Sequence, residues 1–409
     1  MLTDNLNLDA EKLIDIDLGS AKTKANMQQL AAGWATMDPF YVRSGGHVIV
    51  ICGRYADVNS VYQDTDRFST ELPKGPGFEV FDKFMGVQVL AQMDGEKHMR
   101  IRRLMGPAFS PRAAAALEGG IAQSVELLLD EIQREGQEFD AVKQYASHLI
   151  VETLLTVMLN LTEDQKQVFL RMHDAIPKVT YADTNEGFPQ DCVDAFIEAQ
   201  SLINEMIAER RQRPKEDLIS NLIHARDESG KLSDQELFDQ IFTICAGALS
   251  ATTVSFTNTL YALYLHPEAV GQLKMDKSLI PSAMDECQRW QTGGYLTFPR
   301  FALQDTVIGG TPVSKGMIVR VCPQAAHYDP TVYPDPLRFD IHRGGRNIVF
   351  GTGPHHCVGF RVARLAIRIA LERLISRFPD ARLKDTDMVP TYGGAVGEMK
   401  INSLPMLIR

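Results

Sequence analysis

The chain has 409 residues, of which 44% are hydrophobic and 23% charged, and this composition is typical of a soluble globular protein. Its formal net charge of -10 argues against wholesale nucleic-acid binding, because nucleic-acid phosphates attract basic surfaces. The six cysteines are scattered without a CxxC pair, which favours reduced thiols over a disulfide framework. The N-terminal stretch is acidic and polar, so we expect no signal peptide.

The first predicted elements are two short strands. The sequence YVRSGGHVIVICG (41–53) places a Gly-Gly turn between two β-branched runs, a pattern typical of a hairpin. From residue 54 to residue 276, apolar residues recur mostly every three or four positions, which predicts helices. Residues 71–90 are an exception, because they are rich in Pro, Gly and aromatic side chains. We predict a covering loop there.

A long central helix is predicted before Pro267. Ser233 and Glu236 have the spacing of a capping box at its start, and Pro267 marks its end, so it spans about 32 residues. Residues 241–265 carry no charge and are long enough to cross a membrane. Their many Ser, Thr and Asn side chains make them too polar for lipid. We therefore expect a helix buried in the core and no membrane span.

Short extended segments alternate with turns after Arg289. A glycine-rich stretch, FGTGPHHCVG (350–359), follows, and then an amphipathic helix. The sequence has no Ser/Gly/Pro linker and no internal repeat. It therefore predicts one domain over 1–409, mainly α-helical with small β-sheets (α+β) and a long central helix.

The glycine-rich stretch combines a cysteine with several residues suited to a flat ligand. Cys357 lies just before the helix predicted to begin near Gly359, where backbone N–H groups stabilise a thiolate. The glycines allow close approach of the backbone to a flat object, and Phe350 can shield the sulfur from water. A buried structural cysteine after an ordinary turn is the alternative. A zinc site is disfavoured, because the adjacent residues His-His-Cys cannot all face one ion.

Phe-Gly-x-Gly-x-His-x-Cys-x-Gly resembles the haem-binding signature of the cytochrome P450 family, and every fixed position is present. The resemblance implies a haem-thiolate monooxygenase whose cofactor is haem b (iron protoporphyrin IX). It makes Cys357 the axial ligand of the haem iron. The cofactor contacts that it implies within the signature are Phe350, Gly351, His355, Cys357 and Gly359.

A second family landmark is a Glu-x-x-Arg pair on a helix. Glu286 and Arg289 fit, 71 residues before Cys357, and positions i and i+3 share a helix face. Glu131 and Arg134 also match this short motif, and we interpret them as a solvated surface pair. The segment YPDPLRFD resembles the family's next landmark, which implies that Arg338 completes a structural Glu–Arg–Arg cluster.

Haem propionates are anionic and need cations or hydrogen-bond donors. The stretch HMRIRR resembles the family's His-x-x-x-Arg helix, which nominates His98 and Arg102. Arg300 and His355 are the other partners that the resemblance implies. The position four residues before Gly351 is often His in the family but is Asn347 here, which can still donate a hydrogen bond.

The oxygen-activating part of the long helix departs from the family pattern of an acid followed by an alcohol. An ungapped count from the helix end places Ser250 at the acid and Ala251 at the alcohol, and we favour it. A shift of one residue gives Ala251 and Thr252, and a third register gives Leu249 and Ser250. No register supplies a carboxylate. Three alternatives stay open. Protons pass through Ser250, Thr252 and ordered water, or a hydroxyl or carboxylate of the substrate takes the role of the missing acid. In the third alternative, the enzyme uses hydrogen peroxide instead of dioxygen.

The matching stretches of the central helix and the strand turns carry no charged residue apart from Arg300. We therefore expect a mainly apolar substrate of modest size, such as a terpenoid, fatty acid or aromatic compound. Plain core packing is the alternative for each predicted pocket residue. The pocket candidates are Phe78, Phe81, Phe84, Met85, Val89, Ile244, Ala248, Thr297, Phe298 and Val396.

Electrons are expected from NAD(P)H through ferredoxin and ferredoxin reductase, or a similar flavoprotein, docking on the cysteine side. A basic patch there would attract an acidic partner. Its candidates are Arg100, Arg103, Arg346, Arg361 and Arg364.

Two other classes stay open. A peroxide-driven peroxygenase, or an isomerase, would share the cysteine loop, and a non-catalytic haem-binding sensor would share the cofactor. We expect a cytoplasmic monomer.

Overall fold

The computed structural model describes residues 9–44, 46–72, 87–180, 188–227, 230–345 and 347–409. The helices of the first half are α1 (Ala21–Ala25), α2 (Met27–Trp34), α3 (Tyr55–Gln63), α4 (Gly95–Met105), α5 (Pro111–Ala116), α6 (Glu118–Glu135), α7 (Ser147–Val151) and α8 (Glu163–Thr180). Those of the second half are α9 (Gln190–Gln212), α10 (Leu218–His224), α11 (Asp234–Tyr264), α12 (Pro267–Met275), α13 (Ile280–Trp290), α14 (Pro323–Ala326) and α15 (Phe360–Arg377). Two π-helical segments, Ala141–Ala146 and Glu152–Met158, flank α7.

The strands are short. They are β1 (Leu13–Ile14), β2 (Phe40–Ser44), β3 (His47–Cys52), β4 (Phe68–Ser69), β5 (Glu138–Asp140), β6 (Arg226–Asp227), β7 (Gly230–Lys231), β8 (Arg300–Ala302), β9 (Thr306–Ile308), β10 (Thr311–Val313), β11 (Ile318–Val321), β12 (Arg382–Leu383), β13 (Tyr392–Gly393), β14 (Lys400–Ile401) and β15 (Pro405–Leu407). One sheet has six strands in the order β1-β2-β3-β11-β8-β4, and the other sheets have two or three. Helices with small sheets confirm the predicted fold class.

The predicted hairpin is the pair β2 and β3, which run antiparallel. Side chains alternate between the two faces of this sheet, as the pleat requires. Phe40 and Ile51 join one apolar core, whereas Tyr41 and Val50 join the core on the opposite face. The sheet is therefore covered on both sides.

Helix α11 crosses the largest apolar core. The predicted capping box is present, because the Ser233 hydroxyl accepts from the Glu236 N–H while the Glu236 carboxylate accepts from the Ser233 N–H. The helix has 31 residues and packs against α7, α8, α9 and α13. Its length and composition would suffice to cross a membrane, but half of its most apolar stretch is buried inside the protein. This burial is typical of the core helix of a globular domain.

Candidate functional site

The cysteine loop is held in shape by three backbone hydrogen bonds. The Cys357 N–H donates to Phe350 O (2.9 Å), and two more bonds, Gly351 N–H to Ile348 O and His356 N–H to Gly353 O, close the turns before it. Gly351 and Gly353 have φ angles of +72° and +73°, a region that favours glycine. Two glycines of the signature are therefore required by the backbone itself.

A side chain at Gly353 would also collide with the end of α3. Its Cβ would lie 2.7 Å from the Tyr62 carbonyl oxygen. Gly359 differs, since its φ of -85° is ordinary and a Cβ there would meet nothing within 4 Å. The protein alone gives no reason for glycine at 359, whereas a flat group lying against the loop would.

Cys357 is exposed, whereas the other five cysteines are buried. Enough protein surrounds the sulfur that burial raises the pKa of its thiol, while the N–H groups of Gly359 and Phe360 and the Arg102 guanidinium act in the opposite direction. The N–H groups belong to the start of α15, as expected for a thiolate at a helix N-terminus. The sulfur thus combines open access with donors that favour its anionic form.

A polar cluster lies beside this loop. Asp94 accepts from His355 Nε2 (2.9 Å), the Ser69 hydroxyl (2.6 Å) and the Thr70 N–H (2.8 Å). Burial opposes ionisation, but these hydrogen bonds hold the pKa of Asp94 well below its ordinary value. His355 is therefore fixed in place by a carboxylate.

His98 is the unsatisfied member of the cluster. Its ring centroid lies 4.2 Å from that of His355, and its Nε2 is buried without a hydrogen-bond partner in the described part of the chain. Burial, with His355 and Arg102, lowers the pKa of His98 to about 4. A neutral buried imidazole with an unused ring nitrogen costs free energy unless another group completes it.

Arg300 is a buried cation without a carboxylate partner among the described residues. It is 5% exposed and its guanidinium lies 4.9 Å from the Tyr62 ring centroid. Burial lowers its pKa, and Tyr62 and Asp94 counteract this effect. A buried cation normally has a paired anion, so Arg300 and His98 together suit an anionic group brought in by a ligand.

The two other predicted contacts are used differently. Arg102 is half-buried and donates to the carbonyl of His356, next to the cysteine. Asn347 donates to the Asp285 carbonyl (3.0 Å) and accepts from the Val349 N–H (2.8 Å). Asn347 therefore braces the start of the cysteine loop against α13, and the structure does not bring it into the polar cluster.

One face of α11 is exposed in the middle of an otherwise core helix. Gly247 and Ala251 are exposed, and Ile244 and Ala248 on the same face are half-buried. Ala251 lies near the centre of this face, with Ser250 to one side and Thr252 to the other. Neither hydroxyl makes a hydrogen bond to any residue that the structure describes. The exposed face contains no carboxylate in any of the three registers.

The Glu-x-x-Arg pair on α13 is a buried, bidentate ion pair. Arg289 Nε and Nη2 donate to Glu286 Oε2 and Oε1 at 2.7 and 2.8 Å, and both side chains are 3% exposed. The other copy, Glu131 and Arg134, is exposed on α6. The two copies therefore differ in burial, and of the two only Glu286 and Arg289 form an ion pair in the described part of the chain.

The third member of the cluster is Arg343, and the prediction of Arg338 is wrong. Arg343 Nε lies 3.3 Å from Glu286 Oε1. The Arg338 side chain instead pairs with Asp340 (2.7 Å) and is 65% exposed. Arg338 contributes only its backbone carbonyl, which accepts from Arg343.

His327 was not predicted from the sequence. It anchors the start of the cysteine loop through a hydrogen bond to the backbone. Its Nε2 accepts from the Ile348 N–H (3.0 Å), and its Nδ1 lies 3.1 Å from Thr292 Oγ1. Because Thr292 donates its own proton to Gln288 O, the network assigns the imidazole proton to Nδ1. Burial, reinforced by Arg289, lowers the pKa of His327 to about 3, so the ring is neutral and suited to accept. No local motif marks this residue.

The predicted pocket residues divide into three groups. Phe78, Phe81, Phe84 and Met85 lie outside the described residues. Val89, Ile244 and Ala248 are half-buried and pack against the main core, and the latter two lie on the exposed face of α11. Thr297, Phe298 and Val396 lie on two neighbouring turns, and Phe298 is 69% exposed.

The comparisons with known proteins agree with this geometry. The family model described as Cytochrome P450 matches residues 21–402. Mycinamicin IV hydroxylase/epoxidase of Micromonospora griseorubida is 32% identical, over 81% of this chain and 79% of that protein. The polyketide biosynthesis cytochrome P450 PksS of Bacillus subtilis (strain 168) is 32% identical, over 73% of this chain and 72% of its own length.

A solved structure, cytochrome P450 CYP109Q5 from Chondromyces apiculatus, has a TM-score of 0.85 to this chain at 27% identity, and the match covers 96% of this chain and 98% of that one. The family uses haem, and the relatives' names are those of monooxygenating enzymes, which favours an enzyme over a haem sensor. The exposed cysteine, the unsatisfied His98 and the unpaired Arg300 fit that cofactor. This chain belongs to the cytochrome P450 family and is a monooxygenase.

Proposed function

We propose that the protein uses haem b to insert one oxygen atom of O2 into a mainly apolar small organic substrate, with Cys357 as the axial ligand of the iron. The observation that carries this proposal is the exposed Cys357 at the N-terminus of α15. Two backbone N–H groups and a guanidinium there favour the thiolate. Bound haem supplies the redox chemistry, and the residues of the chain hold it, exclude water and deliver protons.

The cofactor's carboxylates would be held by His98 and Arg300. A carboxylate between them would give His98 Nε2 a partner and neutralise the buried guanidinium. His355, fixed by Asp94, lies in ring contact with His98 and keeps it in position. Arg102, now donating to the His356 carbonyl, is the further candidate contact. Phe350 and Gly359 border the cysteine and would shield the sulfur and admit the flat ring.

Proton delivery would rest on hydroxyls rather than on an acid. Ser250 and Thr252 flank Ala251 at the exposed face of α11 and could order water between them. A hydroxyl or carboxylate on the substrate is the alternative source. The lack of a carboxylate on this face also favours a second candidate function, a peroxygenase driven by hydrogen peroxide, which needs no electron donor.

The substrate class follows from the lining of the site. The α11 face offers Ile244, Gly247, Ala248 and Ala251, which are apolar and mostly small, and Arg300 is assigned to the cofactor. A terpenoid, a fatty acid or an aromatic compound fits such a lining. The names of the two relatives refer to mycinamicin IV and to polyketide biosynthesis, so products of the latter kind belong in the same screen.

The electron donor would be ferredoxin with its reductase, or a similar flavoprotein, reached from NAD(P)H. A cavity of about 350 Å³ lies next to the cysteine loop, between α5, α13 and α15. Its apolar lining includes Met284 and Phe360. The charged lining residues are Arg361, Arg364, Arg368 and Glu118, and Glu118 is paired with Arg368 at 2.7 Å. Such a site suits a partner with an apolar contact ringed by acidic side chains.

Fewer of the predicted arginines are available for a partner than the sequence suggested, because some are paired with carboxylates of this chain. Arg100 is paired with Glu236 at 2.7 Å, and Arg364 is paired with Asp285. Arg361 is exposed, lies over the Phe360 ring and has no carboxylate partner among the described residues. Arg103 is exposed on α4, and Arg346 lies outside the described part of the chain. We place the protein in the cytoplasm as a single-domain monomer.

Labelled oxygen tests the function directly. The purified protein, a surrogate ferredoxin, its reductase and NADPH are incubated under ¹⁸O2 with a library of terpenoids, fatty acids, aromatic compounds and polyketides. The expected product carries one ¹⁸O atom. A parallel reaction with H2¹⁸O2 and no reductant tests the peroxygenase. Incorporation in the peroxide reaction alone would replace the first function with the second, and incorporation in neither, with haem bound, would refute both.

A further inference from the structure

Arg320 joins the two turns that carry the predicted pocket residues. It lies on β11, and its Nε donates to Thr297 O (2.9 Å) while its Nη2 donates to Val396 O (3.1 Å). The turn of residues 292–299 follows α13, and the turn of residues 393–399 connects β13 to β14. A guanidinium is a rigid planar fork, so this single side chain fixes the spacing of the two carbonyls.

Lys24 holds the second turn from the other side. This lysine of α1 is 2% exposed, and its Nζ donates to the carbonyls of Gly393 (2.7 Å), Gly394 (2.8 Å) and Ala395 (3.1 Å). An ammonium has three N–H donors, and all three are used on consecutive carbonyls. Gly394 has a φ of +80°, which curls the backbone around the cation.

Backbone contacts hold the bases of the two turns independently of these cations. The Leu296 N–H donates to Gly397 O (3.2 Å), and the Met399 N–H donates to Gly293 O (2.7 Å). Asn258 of α11 also donates to Met399 O (2.7 Å). In the tip of the second turn, residues 393–396, the Ala395 N–H donates to the Glu398 carboxylate (3.0 Å), and Lys24 and Arg320 hold the carbonyls.

The turns are packed closely enough to transmit any movement. A Cβ on Gly397 would lie 2.6 Å from Leu296 O and 2.9 Å from Arg320 Nη2. A Cβ on Gly293 would lie 3.0 Å from the Val254 side chain of α11. A shift of the second turn would therefore change its spacing from the first turn, which itself packs against α11.

We infer that Arg320 and Lys24 are positioning residues that set which substrates fit, by fixing the carbonyls of the two turns and hence the width of the pocket. This inference rests on the proposed function of the site, since it takes Thr297 and Val396 as pocket residues. Neither cation would touch substrate or cofactor. Their loss would leave the protein folded and able to bind small ligands, but with altered selection by ligand size.

Azole binding separates this role from a general loss of stability. Imidazole and clotrimazole both ligate haem iron and shift its Soret band, but only the bulky azole is large enough to extend from the iron towards the turns. For Arg320→Met we expect a change of about 10-fold or more in the Kd of clotrimazole and less than about 2-fold in that of imidazole. Lys24→Met should behave likewise with a smaller change, and Arg320→Lys should restore part of the difference.

The chain offers matched controls. Lys22, on the same helix as Lys24, and Arg382, on another strand, are exposed, so Lys22→Met and Arg382→Met should bind both azoles like the parent protein. Equal changes for the two azoles in Arg320→Met and Lys24→Met, or none, would overturn the inference.

Hydrogen exchange gives a readout that does not depend on the haem. Peptides covering residues 393–397 should exchange about 10-fold faster in Arg320→Met and Lys24→Met than in the controls, while peptides of α11 stay protected. Unchanged exchange in 393–397 would refute the inference even if the azole affinities differed. A parent protein that binds no haem would refute the proposed function instead, and the exchange comparison would still test the clamp.

Discussion

Glu286→Gln tests the buried ion-pair cluster that supports the cysteine loop. The carboxylate accepts four hydrogen bonds, two from Arg289, one from the Asp340 N–H (2.8 Å) and one from Arg343. The substitution keeps the size of the side chain but removes the negative charge that faces Arg289 and Arg343. The buried Arg289 guanidinium and the partly buried Arg343 guanidinium then lose this counter-charge. Removing one partner of a buried pair costs about 3–5 kcal/mol.

The second Glu-x-x-Arg copy supplies the control. Glu131→Gln changes an exposed side chain and should alter the free energy of unfolding by less than about 0.5 kcal/mol. Arg343→Met and Arg338→Met form a second matched pair, because only the Arg343 side chain reaches Glu286. Arg343→Met should be the more destabilising of the two.

Urea unfolding of the holoprotein, followed by far-UV circular dichroism, measures these differences through the transition midpoint and slope. A free energy of unfolding for Glu286→Gln within about 1 kcal/mol of that for Glu131→Gln would contradict this prediction. Loss of a buried charge partner should cost far more than a change to an exposed carboxylate. A larger destabilisation by Arg338→Met than by Arg343→Met would also contradict the prediction.

Three further predictions concern His327, the hydroxyl groups of α11 and the glycines of the cysteine loop. Burial lowers the folded-state pKa of His327 to about 3. The stabilisation that the neutral ring contributes is therefore complete above about pH 6.5 and is lost as the pH falls towards 3, by up to about 1.4 kcal/mol per pH unit. Melting temperatures measured against pH should fall less steeply on the acid side in His327→Gln than in the parent protein. Replacing both Thr252 and Ser250 with Ala should raise the fraction of NADPH consumed that appears as hydrogen peroxide, measured with a peroxide assay, and unchanged coupling would exclude the hydroxyl relay. Gly353→Ala should cost about 1–3 kcal/mol, because it combines a strained φ with a carbonyl contact, whereas Gly359→Ala should leave the melting temperature of the haem-free protein unchanged.

Local signals in the sequence predicted the elements that depend on local chemistry. The capping box at Ser233, the hairpin before Cys52 and the helix after the glycine-rich stretch each follow from neighbouring residues. These features need no knowledge of distant contacts.

Side-chain choices between distant segments were not predictable in the same way. Arg338 and Arg343 have the same chemistry and lie five residues apart, and only the fold of the turn brings Arg343 back to Glu286. His327 reaches the cysteine loop through a contact that no spacing rule describes. Lys24 and the carbonyls at 393–395 are likewise joined by the tertiary fold alone. Such contacts depend on packing rather than on periodicity.

The measurement that tests the central claim most directly is the absorption spectrum of the reduced, CO-bound protein. Thiolate ligation of the haem iron by Cys357 predicts a strongly red-shifted Soret band in the parent protein and its loss in Cys357→Ala. Matched substitutions to Ala at the buried cysteines Cys245 and Cys322 should keep the band in whatever protein folds. A parent protein without haem, or a red-shifted band that persists in Cys357→Ala, would contradict the account.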